Sequence, residues 1–152
     1  MTSHSLAIPQ RPIARTLHYV RLWLPVSLLY GNLALLSIID RGYHAPPYAI
    51  TLNDKLPHFL AFALIGTLVL RALQPQQNRF ILWRKAILIT ASLGFIDEFL
   101  QHLNRSRTGD PLDFLADLLG ATFAITIYLH LHWYQKLLEF PLLRLLILHQ
   151  RS

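Results

Sequence analysis

Between Leu22 and Ile39 the chain runs for 18 residues without a formal charge, and three further apolar stretches follow it. A hydrocarbon core about 30 Å thick is crossed by roughly 20 such residues in a helix. Helix is also the form a single span takes in lipid, because each backbone amide must find its partner within the segment. The second stretch is Leu56 to Leu70, reaching Leu73 if Arg71 snorkels to the headgroups. Pro57 suits a first helical turn, and Asn53-Asp54 supplies the N-cap neighbourhood. The third has only 11 uncharged residues, Ala86 to Ile96, between Lys85 and Asp97. It spans only as a longer helix, Phe80 through His102, with Asp97, Glu98 and Gln101 in its last turns. The fourth runs from about Phe114 to Trp133. Asp113 and Asp117 lie near its start, and Tyr128, Trp133 and Tyr134 form an aromatic girdle at its end.

Composition agrees with this reading. Apolar residues make up 53% of the 152 and charged ones 14%, against about 25% charged in an average soluble domain. The net charge of +6 would suggest nucleic acid in a soluble chain. Here the basic residues sit in short segments between apolar stretches, where they act as topology signals and lipid contacts, so no nucleic-acid partner is expected. The absence of cysteine excludes disulfides, thiolate metal sites and cysteine nucleophiles. The expected fold is therefore all-α: a polytopic membrane helix bundle of four transmembrane helices plus a C-terminal amphipathic helix.

The expected organisation is a cytoplasmic tail over residues 1–21, a four-helix transmembrane domain over 22–134 and an amphipathic segment over 135–152. Arg11, Arg15 and Arg21 before the first stretch resemble a signal peptide, but Asp40-Arg41-Gly42-Tyr43 offers no small-residue cleavage pattern, so an uncleaved anchor is expected. In the last segment Leu142, Leu143, Leu145, Leu146, Ile147 and Leu148 follow Pro141 over a length too short to span. It lies either on the membrane surface or folded back against the bundle.

Of the 14 Lys and Arg residues, ten fall in the N-terminal tail, the Arg71 to Lys85 segment and the C-terminal tail, and four fall on the opposite side. The positive-inside rule then puts both termini in the cytoplasm of a multi-pass inner-membrane protein. Seven of the eight acidic residues, Asp40, Asp54, Asp97, Glu98, Asp110, Asp113 and Asp117, fall on the outer side, and only Glu139 does not. Acidic residues contribute little to orientation, so a polar site at the outer interface is the economical cause of this clustering.

Three segments meet at that face: Asp54-Lys55-Leu56-Pro57-His58-Phe59, Asp97-Glu98-Phe99-Leu100-Gln101, and Arg105 to Asp117. Glu98 and Gln101 share a helix face three positions apart, as do Asp54 and His58 at four, and Asp110, Asp113 and Asp117 repeat at i, i+3 and i+7. Each pattern has a structural reading beside the functional one. Asp54 and Asp113 occupy positions suited to N-caps, and Asp110 before Pro111 suits a helix start. Glu98 and His102 are four apart with His58 as a third ligand candidate, but no paired-histidine signature accompanies them, so no metal and no cofactor is assigned.

The ordered blocks Asp54-Lys55-x-x-His58-Phe59, Glu98-x-x-Gln101 after Asp97, Arg107-x-Gly109-Asp110-x-x-Asp113 and Gly120 resemble the VanZ-like membrane protein family. The resemblance runs from about Leu52 to Tyr128, with one departure at Asp117, where many relatives are expected to carry asparagine. It implies a small polytopic envelope protein, the founding member being associated with low-level resistance to the glycopeptide teicoplanin. It supplies no established reaction, and the sequence does not decide whether the chain is an enzyme.

The expected function is binding or modification of an amphiphile, lipid-linked or wall-related, at the outer membrane interface. Membrane lipid and a lipid-linked envelope precursor are the expected partners. His58, Glu98 and Gln101 are the candidate catalytic residues, with Glu98 and His58 as the acid–base pair. Asp54, Lys55, Arg105, Arg107, Asp110 and Asp113 are the candidate ligand-binding set, the basic members holding an anionic headgroup. The alternative is a non-catalytic scaffold or partner subunit whose polar cluster locks helix packing. Oligomeric state is not legible.

Overall fold

The computed structural model describes residues 12–39, 52–73, 78–103 and 110–131, apart from the side chains of 12–15 and 52–54. Among these residues the chain is all-helical, with four helices: α1 Pro12–Ile38, α2 Leu52–Ala72, α3 Arg79–Leu103 and α4 Pro111–His130. Three are long and apolar enough to cross a membrane, within Thr16–Ile38, Lys55–Ala72 and Pro111–His130. At 25 residues, α3 is about 37 Å long, sufficient in length but charged at Arg79, Arg84, Lys85, Asp97 and Glu98.

Several helix starts differ from the sequence expectation. α1 begins at Pro12, ten residues before the apolar stretch, so part of the expected tail is helical. Proline is preorganised for a first helical position, and arginine propagates a helix well. α2 begins at Leu52, which puts Asn53 and Asp54 inside its first turn and not at its cap. The N-cap of α4 is Asp110, whose side chain accepts from the Leu112 amide at 2.9 Å, with Pro111 following. Asp113 is one turn further in. Tyr128 is buried between helices and takes no part in an aromatic girdle. Trp133, Tyr134 and the C-terminal segment lie outside the described residues.

α1 and α3 run in one direction, α2 and α4 in the other. The Tyr30 hydroxyl donates to the Leu93 carbonyl at 3.0 Å, while Ser37, further along α1, meets Asp97, further along α3. At the opposite end Trp83 Nε1 donates to Thr126 Oγ1 at 3.1 Å, joining the beginning of α3 to the end of α4. α2 and α4 form the tightest pair. Gly120 is the reason, because a β-carbon there would lie 2.1 Å from the Phe59 carbonyl oxygen. Beside this contact the Phe59 and Phe123 rings pack with centroids 6.0 Å apart.

The inward faces follow helical periodicity. α4 buries Asp113, Asp117, Gly120, Ala121, Ala124, Ile125, Tyr128 and Leu129, a repeat of three and four that keeps one stripe on the partner. α3 buries Leu82, Ala86, Thr90, Gly94, Asp97 and Gln101, mostly small residues that let its neighbours approach. The apolar centre is Phe62, Ile65, Val69 and Ile125. Leu28, Leu88, Phe95 and Leu119 point outward and are more than half exposed. That distribution is unfavourable in water and natural against lipid tails. α1 packs against α2 and α3, and among the described residues its backbone does not come close to that of α4.

Candidate intramembrane polar site

Because α1 and α3 end where α2 and α4 begin, one end of the bundle collects the polar residues of all four helices. Asp97 is the deepest, with no exposed surface. Its Oδ1 accepts from Ser37 Oγ at 2.6 Å and its Oδ2 from Gln101 Nε2 at 2.8 Å, so both oxygens have neutral donors, one from α1 and one from its own helix. Asp117, from the next turn of α4 after Asp113, meets His58 Nδ1 at 3.0 Å. The other ring nitrogen of His58 lies 4.0 Å from Asp113 Oδ2. The imidazole thus stands between two carboxylates, its orientation fixed by the shorter contact.

Lys55 closes the mouth of this cluster. Its ammonium pairs with Asp110 at 2.5 Å and also with Asp113. The hydrogen bond from Lys55 holds the Asp110 carboxyl below the usual carboxylate range, against a smaller opposing effect of burial. Glu98 is half-buried, faces His58 and Asp113 electrostatically, and has the Asp110 backbone amide turned toward its carboxylate as a donor. Its Oε1 is shut off from solvent and has no hydrogen-bond partner among the described residues. An ionisable oxygen in that state is costly unless something else occupies its other side.

Of the residues singled out in the sequence, His58, Glu98, Gln101, Lys55, Asp110 and Asp113 therefore gather at one end of the bundle. Gln101 faces Asp97, and Lys55 is committed to two aspartates. His102 is exposed, which separates it from the interior donors. Arg105, Arg107 and the side chain of Asp54 lie outside the described residues.

A family model described as VanZ/LLP1 matches residues 7–133, which takes in all four helices. The chain belongs to the VanZ/LLP1 family. The helices that can cross a membrane make it a VanZ-type membrane protein. No curated protein and no solved structure matches the chain.

Three members of this cluster lie outside the candidate catalytic and ligand-binding residues that the sequence singles out: Asp97, Asp117 and Ser37. For Asp117 the signal was its place four residues after Asp113, which puts it on the same buried stripe. Asp97 stands four before Gln101 and is its partner, whereas the adjacent Glu98 belongs to the block that carries the family resemblance. Nothing in the sequence distinguishes Ser37 from the other hydroxyls of α1. The donors of His58, Asp97 and Asp117 lie within 4.8 Å of one another, on three different helices, and are the described residues best placed to hold an ion.

Proposed function

We propose that this VanZ-type protein binds the polar head of an amphiphile, a lipid or lipid-linked wall precursor, and modifies it through His58 and Glu98. In this reading all four helices cross the cytoplasmic membrane, both termini are cytoplasmic, and the site opens at the outer leaflet. The observation that carries the reading is the solvent-excluded Glu98 Oε1, without a hydrogen-bond partner among the described residues, beside the His58–Asp117 pair. An imidazole oriented by a carboxylate is a suitable general base, and a second carboxyl nearby supplies the complementary acid. Arg105 and Arg107, in the segment that joins α3 to α4, supply the attraction for an anionic head, since the charge of Lys55 is balanced by Asp110 and Asp113.

A second reading has its own support. His58 and Lys55 tie α2 to Asp117 and Asp113 of α4, and Ser37 ties α1 to Asp97 of α3, which is what a packing lock requires. Glu98→Gln separates the two, because it keeps volume and hydrogen-bonding reach while removing the charge. For a site that works through charge, the variant inserts and purifies like the parent but fails in an envelope phenotype such as teicoplanin susceptibility. For a lock, the variant loses stability. Normal stability with a full phenotype refutes a functional charge at Glu98.

A further inference from the structure

Among the described residues the polar end of the bundle holds five carboxylates, Asp97, Glu98, Asp110, Asp113 and Asp117, against the ammonium of Lys55 and the imidazole of His58. Lys55 is taken by Asp110 and Asp113. Asp97 and Asp117, 0% and 3% exposed, are left with one imidazole and neutral donors. Isolated carboxylates in such surroundings are expensive, and nature compensates them with a proton or a metal ion. The donor geometry favours the ion. One ring nitrogen of His58 and one oxygen each of Asp97 and Asp117 are mutually within 4.8 Å, and all three residues are buried. Bonds of about 2.0–2.2 Å to a common ion put donors roughly 3–3.5 Å apart, so small side-chain adjustments complete the site. The Oε1 of Glu98, without a partner among the described residues, provides a further oxygen in electrostatic reach of His58.

We propose that His58, Asp97 and Asp117 bind one first-row divalent cation, Zn2+ or Mn2+, between α2, α3 and α4, and that its open positions receive phosphate oxygens of the amphiphile's head. Imidazole in the donor set selects these ions over Ca2+ and Mg2+, which prefer oxygen throughout. Three protein donors leave room in the coordination sphere. The dication also reconciles an acidic pocket with an anionic ligand. With His58 as a ligand its imidazole is no longer free to act as a base, so the second half rests only on the binding of an amphiphile's head proposed above; the first half does not rest on it.

The test begins with the full chain in detergent free of phospholipid, stripped with a chelator and reloaded with Zn2+ or Mn2+. Metal content is read by mass spectrometry and affinity by chelator competition. One saturable ion per chain is expected. Asp97→Asn and Asp117→Asn should each weaken it by about tenfold or more, while His102→Gln, at an exposed histidine, should leave it unchanged. Should the aspartate variants misfold, the Mn2+-loaded parent suffices: electron spin echo spectra are expected to show one coupled imidazole nitrogen. No saturable ion in the parent, no coupled nitrogen, or loss of the ion in His102→Gln overturns the site. For the second half, affinity for Mn2+ is compared with and without short-chain phosphatidylglycerol, and separately with inorganic phosphate. An ion shared with the lipid phosphate must bind more tightly in its presence, by about fivefold or more. Tightening by inorganic phosphate alone assigns the open positions to free phosphate and overturns the lipid assignment. An ion indifferent to both overturns the phosphate half while leaving the site standing. Loss of phenotype in Glu98→Gln with the ion retained bears on the proposed chemistry and not on the metal.

Discussion

The hydroxyl of Ser37 donates to Oδ1 of Asp97 across 2.6 Å, and this bond ties α1 to the polar end of the bundle. Elsewhere α1 is bound mainly by apolar contact with α2 and α3, and only a small share of its span is buried. Ser37→Ala should therefore lower stability by roughly 1–3 kcal/mol, the cost of leaving a buried acceptor short of a donor. Thermal unfolding in a mild detergent reads this directly. A variant as stable as the parent would show that the bond contributes nothing net.

Gly120→Ala should be much more damaging than its single added methyl suggests. The new β-carbon would stand 2.1 Å from the Phe59 carbonyl oxygen, a backbone atom, so α2 and α4 must move apart. Overpacking of this kind costs about 1–3 kcal/mol or more. Gly66→Ala, whose added carbon would meet Ala121 and Ile125 at 3.2 Å, should cost less. The ratio of monodisperse to aggregated protein on size exclusion, compared for the two variants, checks the order.

The His58–Asp117 pair should behave as a coupled unit. Removing either partner leaves the other buried alone, with a loss of roughly 3–5 kcal/mol expected. Removing both should cost less than the sum. A double-mutant cycle with His58→Gln and Asp117→Asn measures the coupling; additive losses would mean that the 3.0 Å contact carries no interaction energy.

Acid should loosen the Lys55 contact. The Asp110 carboxyl is held below its usual range by Lys55, so its pairing stabilises the fold above the unfolded value, about 3.9. That contribution is lost as pH falls through the depressed folded value. Stability followed downward from pH 6 should decline below about pH 4, and Lys55→Met should remove the part of the decline due to Asp110. An identical acid profile in the variant would refute the assignment.

Orientation is accessible because the chain has no cysteine. Single cysteines at Asn78 and Leu131 should label from the cytoplasmic side, and those at Ile39 and Leu103 from the outside. Labelling of Asn78 and Leu103 from the same side would contradict a spanning α3.

The sequence made the helices legible through their apolar stretches, but not their starts. Pro12 and Leu52 open α1 and α2 earlier than charge alone suggests, since a helix continues past the hydrocarbon wherever its residues tolerate it. The convergence of His58, Glu98, Gln101 and Asp113 was readable because alternating spans bring those ends together. Partner choice was not. That Lys55 is neutralised by Asp110 and Asp113, and that Asp97 reaches Ser37, depends on the rotation of each helix about its axis. Packing at Gly120 and Gly94 sets that rotation, and it leaves no trace in any single segment.

The pairing of Lys55 and His58 with residues of α4 also sets an order of events during synthesis. Fifty-five positions separate Lys55 from Asp110, and a ribosome adding about 5–20 residues per second takes roughly three to eleven seconds to make them. Once Ala72 has been added, α2 is complete while the α4 carboxylates that neutralise its polar end do not yet exist. Its amine and imidazole must wait at the water interface, or beside the insertion machinery, until α4 arrives. The last of the four described helices is thus the one that draws the first polar residues of the site inward.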